Sequence, residues 1–158
     1  MITHGDIRLA RPADARHIAE LSRDAIEHGL PWTWRPGRVL RCLADPSTNV
    51  VVARSGPGLA GFGIMKYLED EAHLLLLAVQ ASHRRIGAGS ALLAWLMTTA
   101  EVAGMAEVSL ELRAGNADAL AFYGHHGFAT AGRSPGYYSG VEDAVRMARV
   151  LRSRKPAP

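Results

Sequence analysis

The chain has 158 residues with 48% apolar content, a length that suits one domain with a sizeable buried core. We place that domain at residues 1–150 and expect a basic, disordered tail over 151–158. The net charge of +3 does not indicate a nucleic-acid-binding protein, because no stretch interleaves basic and aromatic residues. A single cysteine, Cys42, excludes an internal disulfide. No signal peptide and no run of ~20 apolar residues is present, so we expect a cytoplasmic protein without a membrane partner.

Hydrophobic periodicity predicts seven strands and four helices. A proline-bounded loop with two tryptophans separates the first two helices, and these rings either cap the core or form a lid over a substrate. His125 and His126 lack the spacing of metal ligands, so we predict no metal site. The predicted strands cover 7–10, 49–54, 59–67, 73–79, 108–113, 128–133 and 142–150. The predicted helices cover 12–29, 37–44, the stretch between Gly89 and Gly104, and 116–126.

The most informative stretch begins with the unbroken apolar run from Leu74 to Val79. We interpret this run as a strand buried on both faces. A polar break and Gly87-Ala88-Gly89 follow, and the next residues have helical periodicity. A strand that passes through glycines into a helix directs backbone N–H groups and the positive end of the helix dipole at one spot. Because Arg84 and Arg85 add positive charge there, the stretch predicts a phosphate-binding turn.

Two common phosphate-binding motifs do not fit this turn. No Gly-Lys-Ser/Thr follows, which excludes a P-loop, and the third glycine of the dinucleotide fingerprint is missing. The pattern Arg84-x-x-Gly87-x-Gly89 resembles the Arg/Gln-x-x-Gly-x-Gly/Ala signature of the GCN5-related N-acetyltransferases (GNAT superfamily). In that superfamily the loop holds the pyrophosphate of acetyl-coenzyme A.

A second stretch strengthens the resemblance. In the predicted strand 108–113, Ser109, Glu111 and Arg113 share the face opposite three apolar residues. The residues that follow resemble the RimI-like protein N-terminal acetyltransferases of the same superfamily, and the likeness spans about residues 5–150. The matching residues are Glu111, Arg113, Asn116, Tyr123, Gly127-Phe128, Tyr137-Tyr138, Glu142-Asp143-Ala144 and Met147.

The resemblance implies an α/β (α+β) fold with a mixed, mostly antiparallel seven-stranded sheet, helices on both faces and splayed central strands. It implies acetyl-coenzyme A as cofactor, with Glu111 as base and Tyr123 as acid in an acyl transfer. Residues expected at the cofactor are Leu77, Ala78, Val79, Arg84, Arg85, Ile86, Gly87, Ala88, Gly89, Ser90, Asn116, Ala119, Phe122 and Tyr123. Residues expected at the substrate are Trp32, Trp34, Leu76, Tyr137 and Tyr138, with Leu76 at a place where those enzymes often have Asn.

Several alternatives stay open at the level of sequence. The acceptor is either a peptide or protein N-terminal amine or a small-molecule amine or amino acid, and a homodimer is possible. A catalytically silent coenzyme A-binding sensor is a third interpretation, which the presence of both Glu111 and Tyr123 disfavours. Taken without the family, Glu111 is an ordinary strand residue, Tyr123 a core aromatic, Asn116 a helix cap and His73 a strand residue.

Overall fold

The computed structural model describes residues 2–84 and 87–153. Arg85 and Ile86 of the predicted phosphate-binding turn lie outside the described residues, as do residues 154–158 of the predicted tail. The helices are α1 (Ala15–Ala25), α2 (Pro36–Ala44), α3 (Ala88–Val102) and α4 (Ala117–His125). The strands are β1 (Ile7–Leu9), β2 (Thr48–Ser55), β3 (Gly58–Tyr67), β4 (Glu71–Val79), β5 (Glu107–Arg113), β6 (Ala129–Tyr138) and β7 (Glu142–Val150).

The seven strands form a mostly antiparallel sheet, as the sequence predicts, and the structure gives their order as β1-β2-β3-β4-β5-β7-β6. Strands β4 and β5 are the parallel pair, and their register joins Glu71–Leu74 to Glu107–Leu110. The pairs stop there, although β4 continues to Val79 and β5 to Arg113. The splay of the central strands beyond this paired stretch stays a prediction.

Packing divides the chain into two compact units. The first contains Met1–Lys66 and Leu75–Thr99, and the second contains Tyr67–Leu74 and Ala100–Pro158. The division falls within β4, so each unit contains part of that strand. The sequence predicts a single domain over 1–150, and that boundary stays a prediction.

In the first unit, helices cover both faces of the strands. One face packs α1, α2 and the buried Trp34 against side chains of β2, β3 and β4, among them Phe62 and Leu76. On the other face, Gly61 lets α3 approach closely: an added Cβ would lie 2.7 Å from the Ala78 carbonyl oxygen and 3.1 Å from Leu92. Glycine in this strand therefore serves close packing between elements.

The second unit is built on β5, which pairs with β7 on one side and with the start of β4 on the other. Its alternation matches the prediction, since Val108, Leu110 and Leu112 are buried. The chain stays hydrogen-bonded two residues past the predicted domain boundary. Leu151 N donates to Ala106 O at 2.7 Å, and Arg152 donates to Gly104 O at 2.7 Å.

Three sequence-based expectations about elements are wrong. Strand β4 is not buried on both faces: Leu74, Leu76 and Ala78 are buried, whereas the residues between them are half-exposed. The prediction failed because a leucine in a strand does not by itself indicate that the face it lies on is covered. Helix α1 ends at Ala25, four residues before Gly29, since the Ile26 and Glu27 amides both donate to Ser22 O. Strand β6 extends to Tyr138 instead of ending at 133.

Among the described residues, no helix is both long and apolar enough to cross a membrane.

Candidate active site

The predicted phosphate-binding turn belongs to the first unit. Strand β4 ends at Val79, and the Gln80 amide is tied to Ala60 O at 2.8 Å. Arg84 is exposed, and Gly87 has a φ of +82° just before α3 begins at Ala88. A side chain at position 87 would be strained in this conformation, so the backbone itself requires glycine there.

The described part of the turn has features that suit an anion. Helix α3 has 15 residues, and the first turn of such a helix carries N–H groups that have no partner within the helix and a partial positive charge. Ala88 and Gly89 add no bulk, and Ser90 is exposed. These features fit an anion, as the glycine pattern predicts.

A chain of polar side chains crosses β4, β5 and β7 in the second unit. Glu111 Oε2 lies 2.7 Å from His73 Nε2, and His73 Nδ1 lies 3.1 Å from Ser109 Oγ. The Ser109 hydroxyl donates to Glu71 Oε1 at 3.2 Å, and Arg146 Nη2 lies 3.6 Å from the same oxygen. The register explains this arrangement, since His73 is paired with Ser109 and Glu111 with Arg146.

Glu111 is held as a carboxylate inside a mostly enclosed site. Its side chain is 15% exposed, and burial alone would raise its pKa. The hydrogen bond from His73, together with the positive charge of Arg146, instead holds the pKa of Glu111 below its usual value. Glu111 is therefore ionised at neutral pH and able to accept a proton.

Tyr123 lies on the buried side of α4, whereas the neighbouring Phe122 is half-exposed. Its ring packs edge-to-face against Phe128 at a centroid distance of 5.5 Å. Burial raises the pKa of the Tyr123 phenol well above its ordinary value, and the neighbouring Tyr138 adds to the shift. The phenol therefore keeps its proton throughout the physiological range.

Two further tyrosines of the second unit were predicted to contact substrate. Tyr138 is half-buried at the end of β6, and burial followed by the charges of Tyr137 and Glu111 raises its pKa. Tyr137 is 53% exposed, and its ring stacks edge-to-face on Tyr138 at 4.9 Å. The contact with substrate stays a prediction for both.

Asn116 is the N-cap of α4, as one sequence interpretation proposes. Its side-chain oxygen accepts a hydrogen bond from the Ala119 amide at 3.0 Å. The cap begins a helix that carries Ala119 and Phe122 half-buried. A role of these three residues at the cofactor stays a prediction.

The tryptophan loop is fixed by a buried carboxylate. Glu27 is 7% exposed and accepts hydrogen bonds from the Thr33 amide at 2.6 Å and the Trp34 amide at 2.8 Å. Trp34 lies in the core, as does Leu76, and Trp32 donates Nε1–H to Ala19 O. These contacts favour the core-capping interpretation of the loop, and substrate contact stays a prediction for Trp32, Trp34 and Leu76.

Sequence reasoning missed the partners of Glu111. It treated His73 as an ordinary strand residue and assigned no role to Glu71, Ser109 or Arg146. The available signal was the polar face of the two central strands: Glu71 and His73 alternate with apolar residues on β4, as Ser109 and Glu111 do on β5. Sequence alone does not give the register between these strands, which is what brings the four side chains together.

Among the described residues, no group of three or more His, Cys, Asp or Glu side chains is arranged to hold a metal ion.

Comparison with known proteins agrees with this geometry. Residues 15–128 match the profile of the acetyltransferase (GNAT) family. The [ribosomal protein bS18]-alanine N-acetyltransferase of Escherichia coli K12 is 37% identical over 127 residues, which cover 77% of this chain and 82% of that protein. The N-alpha-acetyltransferase RimI of Mycobacterium tuberculosis H37Rv is 35% identical over 145 residues, 87% of each chain.

Solved structures show the same fold. The crystal structure of the ribosomal-protein-S18-alanine N-acetyltransferase from Escherichia coli superposes with a TM-score of 0.80 at 29% identity. The match covers 96% of this chain and 97% of that one. A profile match over most of the chain, together with relatives above 30% identity that cover most of its length, settles the family. The chain belongs to the GNAT acetyltransferase family, an enzyme family whose acetyl donor is acetyl-coenzyme A.

Proposed function

We propose that this enzyme acetylates the α-amine of a peptide or protein, with Glu111 as general base and Tyr123 as general acid. The observation that carries the proposal is the enclosed, ionised Glu111 carboxylate on the polar face of β5. The names of two relatives support the acceptor, because one is a [ribosomal protein bS18]-alanine N-acetyltransferase and the other is an N-alpha-acetyltransferase.

Acetyl-coenzyme A supplies an acetyl group that is activated as a thioester. We assign its pyrophosphate to the turn of Arg84, Gly87, Ala88, Gly89 and Ser90, with Arg85 and Ile86 as further expected members. The backbone N–H of Val79, at the end of β4, is expected to stabilise the negative charge that develops on the thioester oxygen. Leu77, Ala78, Asn116, Ala119 and Phe122 complete the expected lining.

Glu111 takes the proton that would otherwise keep the acceptor amine unreactive. An amine attacks a thioester only when it is neutral, so a positioned base must take its proton. A carboxylate with a lowered pKa is a weak base, which makes an α-amine, with a pKa near 8, a better proton donor to it than a lysine, with a pKa near 10.4. The difference amounts to about 3 kcal/mol in the cost of deprotonation, which favours the α-amine.

Tyr123 donates a proton to the leaving thiolate of coenzyme A. A departing thiolate leaves more readily when it receives a proton as the bond breaks. Because burial keeps the Tyr123 phenol protonated, this residue has a proton to donate throughout the physiological pH range, where Glu111 is ionised. After each turnover Glu111 releases the proton taken from the amine and Tyr123 takes up a proton from solvent, so both groups return to their starting forms.

Release of free thiol from acetyl-coenzyme A tests the proposal against a matched panel of acceptors. The panel contains peptides with a free first alanine or serine, the same peptides with a blocked first residue and an internal lysine, free amino acids, and a polyamine. We expect thiol release with the free peptides and little with the blocked ones. Rapid turnover of the small amines alone would refute the peptide acceptor, and coenzyme A binding without thiol release from any acceptor would indicate a silent sensor.

A further inference from the structure

His73 contacts Glu111 and Ser109 through its two ring nitrogens. An ionised carboxylate only accepts hydrogen bonds, so Nε2 carries the hydrogen that meets Glu111 Oε2 at 2.7 Å. The Ser109 hydroxyl donates to Glu71 Oε1, so its lone pairs face His73 Nδ1 at 3.1 Å, and that contact is a hydrogen bond when Nδ1 also carries a hydrogen. The ring of His73 is thus contacted at both nitrogens, by Glu111 and by a serine that is itself held by Glu71.

The chain of contacts is enclosed at its centre and open at one end. Ser109 is fully buried, and the side chain of His73 is 22% exposed. Glu71 is held by Ser109 and lies beside Arg146, whose side chain is 40% exposed. A partner held in this way limits the rotation of the Glu111 side chain.

We propose that His73 is a positioning residue for Glu111: it binds Oε2, and thereby leaves Oε1 for the proton of the acceptor amine. The inference rests on the proposed function, because it assigns His73 to the base of that reaction. Among the described residues, His73 is the one basic side chain with a nitrogen within 4 Å of the Glu111 carboxylate, at 2.7 Å. Ser109 is a second positioning residue, since it orients the ring of His73.

Other charged groups near this pair act in known directions. Arg146, opposite Glu111 on β7, favours the ionised carboxylate, and Glu111 in turn raises the pKa of Tyr138 on β6. Arg113 and Glu142 pair with each other beside Tyr138. Glu71 is the negative group on the strand that carries His73. Loss of the His73 hydrogen bond removes the largest influence that lowers the pKa of Glu111, so this pKa should rise.

Three variants separate positioning from simple packing. His73→Leu removes the donor while keeping an apolar body, and His73→Gln keeps an N–H group near the place of Nε2. Ser109→Ala retains the His73 donor and removes the group that orients it. His17→Leu, an exposed histidine of α1, is the control for the substitution itself.

The first measurement is the titration of the Glu111 carboxyl carbon by NMR in the free protein, assigned by its loss in Glu111→Gln. We expect its midpoint to move to higher pH in His73→Leu and to return toward the wild-type value in His73→Gln. This experiment needs no acceptor, so it decides whether His73 controls Glu111 even if the proposed acetylation fails. An unchanged midpoint in His73→Leu overturns the proposal.

The second measurement is the steady-state rate with a peptide acceptor. We expect kcat to fall about 10- to 100-fold in His73→Leu, with KM for acetyl-coenzyme A unchanged and most of the rate recovered in His73→Gln. Ser109→Ala should lower kcat in the same sense by a smaller factor. Equal losses in the leucine and glutamine variants contradict the proposal, and if His73→Leu does not fold, His73→Gln and Ser109→Ala decide by the same readouts.

Discussion

At the scale of single residues, Glu111 and Tyr123 meet opposite requirements for their protons. The base must be ionised, and the His73 hydrogen bond lowers the pKa of Glu111 to keep it so. The acid must be protonated, and burial raises the pKa of Tyr123 to keep it so. The two shifts widen the pH interval in which both groups are in the form that the proposed transfer needs.

Tyr123→Phe tests the acid directly. We expect kcat to fall by roughly 10²–10⁴-fold if proton donation limits the rate. The affinity for acetyl-coenzyme A should change little, because the hydroxyl acts as the thiolate forms. Steady-state kinetics and calorimetric binding measure the two quantities separately.

Tyr67→Phe is the matched control, since it removes the same hydroxyl from a half-buried ring at the end of β3, outside the proposed site. It should retain near wild-type turnover of the donor thioester. If Tyr123→Phe shows the same turnover as this control under conditions where chemistry limits the rate, Tyr123 is not the acid.

Polar residues show where sequence reasoning reached its limit at this scale. The period-two alternation of β5 separates Glu111 from the apolar residues of that strand, and the helix cap at Asn116 follows from its position before an apolar run. The pairing of Glu111 with His73 could not be predicted in the same way, because it depends on the register of two strands that are far apart in sequence.

At the scale of elements, the turn between β4 and α3 is set by the backbone. The φ of +82° at Gly87 excludes most side chains whatever space surrounds them. The same residue directly precedes the helix whose amides we assign to the pyrophosphate. Conformation and proposed ligand binding therefore require the same glycine.

Gly87→Val should abolish binding of coenzyme A while the domain stays folded. A β-branched residue is strained at this φ by about 1–3 kcal/mol, and its side chain would keep an anion away from the main chain. Calorimetry with coenzyme A measures binding, and thermal unfolding measures the strain.

Gly56→Val provides the control, because Gly56 also has a positive φ, of +61°, in the turn between β2 and β3, with no atom near an added Cβ. It should show a similar loss of stability with coenzyme A binding intact. Normal binding by a folded Gly87→Val variant would show that the pyrophosphate is held elsewhere.

Asp14 joins three segments at the start of α1. Its buried carboxylate lies 3.0 Å from Arg8 Nη1 and 3.4 Å from Arg54 Nη1, and it accepts the Arg11 amide at 2.8 Å. Burial alone would raise the pKa of Asp14, but the Arg11 amide and the two guanidinium groups together hold it below its usual value. The segment before α1, strand β1 and strand β2 are thus each bound to the same carboxylate, that of Asp14.

We expect Asp14→Asn to lower the free energy of unfolding by about 2–3 kcal/mol at neutral pH, because charged hydrogen bonds are lost from a buried site. The folded-state pKa is depressed, so this stabilisation is present above the unfolded-state pKa and disappears as pH falls through the folded-state value. Urea unfolding at neutral and acidic pH should therefore show a gap between wild type and variant that narrows with acid.

Asp24→Asn, which removes an exposed partner of Arg23, should leave the unfolding free energy within error of wild type. An Asp14→Asn variant as stable as this control would show that the three-segment contact contributes nothing.

Element boundaries show what periodicity can and cannot predict. Strand β7 has the predicted bounds Glu142–Val150 because its apolar alternation has clear ends. Helix α1 ends early because two amides, those of Ile26 and Glu27, compete for Ser22 O, and composition does not show that competition. The half-exposed face of β4 could not be predicted either, because leucine residues lie on both faces of that strand.

At the scale of the whole molecule, the proposed functions are divided between the two units. The first carries the glycine turn at the start of α3, and the second carries Glu111 with His73, together with Tyr123. The resemblance to the family allowed the glycine turn, Glu111 and Tyr123 to be predicted from the sequence, because the motifs that contain them are short and local. The contacts that restrict Glu111 had to be found in three dimensions.

The most direct measurement uses one peptide that has both a free α-amine and an internal lysine. The wild-type enzyme and Glu111→Gln are incubated with this peptide and acetyl-coenzyme A, and tandem mass spectrometry locates the acetyl group. We predict acetylation at the first residue by the wild type, and product formation slowed by roughly 10²–10⁴-fold in Glu111→Gln. Acetylation on the lysine, or equal rates for the two proteins, would contradict α-amine transfer with Glu111 as the base.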